Sequence, residues 1–172
     1  MRIERIDRAL EQCETHLSST STYGTEIENL LTQSLLVLMY AEFERKIKTL
    51  VWERLSSITD GSIRKFVKSC DAIRGLKTSD IAGLLGRFEP ACKTAFTQKK
   101  NDNEYAENLY NSIVINRHDV AHAQGSHVTF REVKRFYEEG HVILDFSIFQ
   151  SRNEPEGGSN ERAIMRRIFG NN

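Results

Sequence analysis

The chain has 172 residues, 39% hydrophobic and 28% charged, with 24 basic against 24 acidic side chains. This length buries a core without staples, and the composition excludes an intrinsically disordered or membrane-embedded chain. Zero net charge argues against a protein that coats nucleic acid nonspecifically.

The pattern is helical throughout. Ile3, Ile6, Leu10, Cys13 and Leu17 recur at three-and-four spacing and predict a first helix over residues 3–17. The run SSTSTYGT ends it, because Ser and Thr compete for backbone hydrogen bonds and Gly24 frees the chain. Thr25 with Glu28 reads as a capping box opening a long helix over residues 26–55. Between Leu30 and Met39 that helix is apolar nearly all round, as a central buried helix is. Thr32, Gln33 and Ser34 interrupt the stretch, and it is too short to cross a bilayer, so no membrane role is expected.

Asp60-Gly61 marks a turn. Short helices follow to Lys100, broken near Gly75 and Pro90. Asn101 with Glu104 is expected to cap a helix over residues 104–121. Thr129 with Glu132 opens a last long helix over residues 130–150, with Val133, Phe136, Tyr137, Val142, Leu144 and Phe146 as core candidates. Residues 151–161 have linker composition, and ERAIMRRIF beyond them reads as a short amphipathic tail. The expected fold is an all-α, up-and-down helical bundle over residues 1–150, with a linker and helical tail over 151–172.

Charge is uneven. Residues 61–100 carry nine Lys/Arg against three Asp/Glu, whereas residues 1–60 carry seven against ten and 101–150 four against eight. The middle segment is either a solvated basic face or a surface for a polyanion. Cys13, Cys70 and Cys92 are isolated and odd in number, and the N-terminus has no signal-peptide core. Both features point to a reducing cytoplasm.

The chemistry-bearing segment is Asn116-Arg117-His118-Asp119-Val120-Ala121-His122. With Arg117 at zero on a helical wheel, His118 lies at about 100° and His122 at about 140°. Tyr110, Asn111, Val114 and Ala121 fall in the same arc, flanked by Ile113 and Ile115. A guanidinium and imidazoles suit phosphodiester cleavage by RNA's own 2′-hydroxyl: histidine moves the protons, and arginine holds the phosphate. The bare spacing is unspecific. Fifteen arginines and five histidines give about one such match by chance, and Arg135 with His141 also fits. In isolation, Arg117 as a helix-end cap and His122 as a partly buried core residue is the commoner arrangement. His118 and His122 also have metal-ligand spacing, with Asp119 and His127 near. No second His, Asp or Glu cluster completes such a site, and Arg117 would sit beside the metal, so neither metal nor cofactor is expected.

Arginine, a polar residue, a short spacer and a final histidine near the end of a late helix resemble the motif of the HEPN superfamily, with His118 as the polar residue. LLVLMYAEFERKIKTLV over residues 35–51, with Tyr40, Glu42 and Phe43, is similar to that family's long second helix. The resemblance spans about residues 25–150. It departs after His122, where Ala123-Gln124 precede the glycine at 125. It implies a four-helix core with extra short helices, and a homodimer whose two motifs meet in one cleft. It further implies metal-independent endoribonuclease activity in a prokaryotic defence or toxin–antitoxin setting, with RNA as substrate and an antitoxin or other operon partner. Arg117 and His122 are then catalytic and His118 assists, with Glu42, Tyr110 and Asn116 in support. The alternative within the family is a non-catalytic dimeric module that binds nucleotide, RNA or a partner protein at the same motif.

Overall fold

The computed structural model describes residues 2–56, 59–62, 75–122 and 128–152, with side chains up to Ser147. Its helices are α1 (Glu4–Thr20), α2 (Glu26–Leu55), α3 (Thr78–Phe88), α4 (Pro90–Asn101), α5 (Glu104–Ala121), α6 (Phe130–Gly140) and α7 (Val142–Arg152). No strand occurs among the described residues, and none of their helices is long and apolar enough to cross a membrane. The fold is all-α, as the periodicity predicts.

The central position of α2 follows from its sequence. Leu35, Leu36, Met39, Phe43, Ile47, Leu50, Val51 and Leu55 are all buried, so it needs partners on several sides. It packs against α1, α5, α6 and α7, while α3 and α4 pair with each other and lean on α7. In the middle, Phe43 stacks on Tyr110 of α5 at 5.3 Å and on Tyr137 of α6 at 6.4 Å. Such pairs add about 0.5–1.5 kcal/mol each beyond the area they bury. The Tyr137 hydroxyl also accepts from the Ile3 amide at 2.6 Å, which pins the start of α1.

Several local details differ from expectation. α1 runs through Ser18, Ser19 and Thr20: the Ser19 and Thr20 hydroxyls donate to the His16 carbonyl, and that of Ser18 pairs with the Tyr23 hydroxyl in the turn beyond. It stops at Ser21, whose left-handed φ of 53° breaks the ladder. Thr25 caps α2 by accepting from the Ile27 amide. Glu28, its expected capping partner, is instead buried and accepts from Gly24 N at 2.6 Å and Phe130 N at 2.9 Å. Its carboxylate thereby ties the α1–α2 turn to the electropositive start of α6. Asn101 is the last residue of α4 and does not cap α5. Asn103 holds that position without a side-chain capping bond, its amide donating instead to the Lys99 carbonyl of α4 at 2.8 Å. The Thr129–Glu132 capping box does form.

The expected helix over residues 130–150 is two helices, α6 and α7, meeting at Gly140-His141. The bend serves packing. A β-carbon on Gly140 would stand 2.8 Å from the Tyr110 backbone nitrogen and 3.1 Å from its α-carbon. Only glycine lets α6 come this close to α5. The expected linker begins inside α7, which ends at Arg152, and residues 153–172 lie outside the described residues.

Candidate active site

Arg117, His118 and His122 occupy the last turn and the cap of α5. Its end projects past the packed aromatic layer at Tyr110, so its side chains emerge from the core. His122 is the C-cap, and its amide donates to the His118 carbonyl at 3.1 Å. Both imidazoles are exposed, with ring centroids 4.2 Å apart. Arg117 is half-buried on another side of α5. Its guanidinium carbon lies 4.3 Å from the ring centroid of Tyr40, also half-buried, on α2. This cation–π contact fixes the guanidinium plane against an aromatic face and leaves its N–H edges for an anion.

No hydrogen bond among the described residues joins Arg117 to either imidazole. One copy of α5 therefore offers an anchored cation and a pair of exposed proton carriers that do not converge on one point. Asn116 is half-buried and donates to the Ser112 carbonyl at 2.8 Å, so its amide braces the helix that carries the motif.

The other expected residues lie elsewhere. Tyr110 shares an angular sector with Arg117 but sits about two turns earlier, inside the core. It is wholly buried, its hydroxyl has no hydrogen-bond partner among the described residues, and burial pushes its phenol well above the ordinary range. Its phenol does not reach the exposed end of α5. Asn111, in the same arc, accepts from the Thr78 amide and donates to its hydroxyl, which ties α3 to α5. Glu42 is buried, as its position among apolar residues suggests. Its carboxylate is taken up by Arg5 of α1 at 2.9 Å and by Arg45 at 2.6 and 2.9 Å. Burial alone would raise the Glu42 pKa, but the hydrogen bonds from Arg45 and Arg5 outweigh it and hold the carboxyl below its usual range. Tyr40, by contrast, enters the site with no signal in the motif's own spacing. Only the packing of α2 against α5 reveals it.

Of the basic segment, Lys100 is paired with Glu107 at 2.9 and 3.0 Å, and Lys99 lies over the Phe146 ring at 5.7 Å. Arg64, Lys65, Lys68 and Arg74 fall outside the described residues, as do Cys70, His127 and the loop after His122. Among the described residues, no three His, Cys, Asp or Glu side chains are gathered as a metal site. His141, the other spacing match, caps α6, and its ring faces the Tyr137 and Glu138 carbonyls.

A helical bundle built round a long buried second helix, with an Arg–His motif closing a late helix, is the architecture of a HEPN superfamily domain. The chain belongs to the RiboL-PSP-HEPN family, whose model matches residues 1–146. No curated protein and no solved structure matches it. Membership places the chain with HEPN domains, which suggests a ribonuclease or nucleotide-related module.

Proposed function

We propose that this protein is a metal-independent endoribonuclease that works as a homodimer, with the α5 ends of two copies forming one cleft. The observation that carries the reading is the exposed His118–His122 pair at the same helix end as an arginine anchored on Tyr40. The 2′-oxygen of RNA attacks the adjacent phosphorus, and the P–O5′ bond breaks. His122 of one copy takes the 2′ proton, and its counterpart in the other copy protonates the departing 5′-oxygen. Arg117 offsets the charge that grows on the non-bridging oxygens. The products are a 2′,3′-cyclic phosphate and a 5′-hydroxyl, with no water consumed. His118 lies against His122 and orients it.

Two features support a second copy at this end. Arg117 and the imidazoles face different sides of α5, so a single chain leaves the site incomplete. Ile27, Leu30 and Val37 form an exposed apolar stripe on α2, and Ile115 is exposed one turn before the histidines. Such a stripe suits an isologous interface. A cytoplasmic toxin or defence enzyme held in check by an operon partner is the setting this reading implies.

The test is cleavage of end-labelled structured RNA and matching DNA in excess chelator, by wild type and His122→Ala. RNA-only cleavage that vanishes in the variant is expected. Binding of RNA without cleavage by the wild-type dimer refutes the nuclease and leaves an anion-binding module. Full dependence on added metal refutes the mechanism.

A further inference from the structure

Glu42 has no place in that chemistry, yet it is the most thoroughly buried carboxylate described, with its side chain 2% exposed. Burying a carboxylate requires compensation, and one bidentate arginine supplies it. Arg45 already donates from two nitrogens to one Glu42 oxygen. Arg5 then adds a second full charge through a single contact to the other oxygen. The Arg5 and Arg45 side chains remain 72% and 61% exposed, so a buried base holds two cations at the surface and the cluster is positive overall.

The surroundings do not cancel that charge. The nearby acids are engaged elsewhere: Glu4 with Arg8, Asp7 with Arg2, and Glu44 with Lys48. Lys46 stands one helical turn after Glu42 and makes no ion pair among the described residues. Each guanidinium has five N–H donors. Arg45 spends two on Glu42 and Arg5 spends one, which leaves seven between them. The shared carboxylate has already fixed both side chains, so a ligand does not bear the cost of ordering them.

We propose that the Arg5–Glu42–Arg45 cluster on the α1–α2 face is a binding site for a phosphate group. Glu42 is its positioning residue: it contacts both arginines and would repel the ligand directly. The site is separate from the Arg117–His122 end, because Tyr40 and Glu42 lie about 200° apart round α2. The inference does not depend on cleavage. The phosphate belongs either to a small anion or to a polynucleotide backbone running over this face.

The full-length protein is titrated with inorganic phosphate against chloride of equal ionic strength, while the side-chain N–H resonances of Arg5 and Arg45 are followed. In parallel, binding of a single-stranded DNA oligonucleotide, which has no 2′-hydroxyl to attack, is measured across a salt series. Arg5→Gln and Arg45→Gln are compared with wild type after a thermal melt confirms folding. Arg45→Gln retains the Arg5–Glu42 pair and so remains informative if Arg5→Gln does not fold. Saturable phosphate shifts, weakened at least about tenfold in Arg45→Gln, are expected for a small-anion site. An oligonucleotide salt slope about one unit shallower in the variants identifies the backbone as the source. No saturable phosphate shift in wild type, together with identical oligonucleotide binding and slope in folded variants, overturns the site and leaves an interhelical tie. Loss of cleavage in the RNA assay with both binding results intact would overturn the nuclease alone.

Discussion

Replacing Tyr40 by leucine keeps a half-buried apolar side chain on α2 but removes the aromatic face under Arg117. The guanidinium carbon lies 4.3 Å from the ring centroid, well inside the range of a cation–π contact, and both partners are half-buried. Contacts of this kind are worth about 0.5 kcal/mol when exposed and about 2 when desolvated, so about 1 kcal/mol fits here. If that energy holds Arg117 in its phosphate-binding orientation, single-turnover RNA cleavage in chelator slows about fivefold in Tyr40→Leu. Tyr40→Phe keeps the ring and stays near wild type. Removal of His122, the proposed proton carrier, is expected to cost far more, about a hundredfold or beyond. The decisive arm is a double-mutant cycle: once Arg117 is alanine, Tyr40→Leu has nothing left to orient and its effect disappears. An equal effect of Tyr40→Leu in both backgrounds rules out the cation–π role, since the tyrosine would then act through packing alone.

Gly140→Ala drives a β-carbon to 2.8 Å from the Tyr110 backbone, and a helix backbone cannot yield as a side-chain end does. A loss of about 1–3 kcal/mol in denaturant unfolding is expected, and an unchanged midpoint contradicts the close approach. Tyr110→Phe deletes a buried hydroxyl that has no partner among the described residues. It should leave stability unchanged or raise it by about 1 kcal/mol, with RNA cleavage unaffected, and a large loss of cleavage would return the phenol to the active site. In acid, two carboxyls matter. Glu42 is held low because its arginine hydrogen bonds outweigh burial, and Glu132 is held low by the Thr129 amide and hydroxyl. Their folded-state pKa values lie below the unfolded value near about 4.3, so the folded protein binds fewer protons. The stability they contribute is present above that pH and is lost as pH falls through the folded values. Melting temperature should therefore drop with acid below about pH 4.3, and less steeply in Glu42→Gln. Identical acid slopes for the variant and wild type would remove Glu42 from the account.

Much was legible because helix formation is local. The α2 and α5 boundaries follow from a Thr25 cap, a polar turn and a run of apolar residues at helical spacing, all readable within a few turns. The same holds for the Thr129–Glu132 box and for the motif's place at a helix end. The failures are equally physical. A helical wheel reports angle but not depth along the axis, so Tyr110 and Arg117 share a sector while one lies in the core and the other emerges from it. The sequence sets Glu42 among apolar residues but does not name its partners, because Arg5 is 37 residues away and meets it only when α1 folds back on α2.

Composition, periodicity and capping thus sufficed for an all-helical chain and its principal helices, and the Arg117–His122 motif stood out through its likeness to a family pattern. Only the tertiary structure shows why α6 ends on Gly140: there its backbone lies against that of Tyr110 and leaves no room for a β-carbon. It also decided that Arg117 rests on Tyr40 and that Glu42 gathers two arginines on a separate face. Each of those outcomes depends on which helix packs beside which, and contacts between residues distant in the chain leave no periodic trace in the sequence.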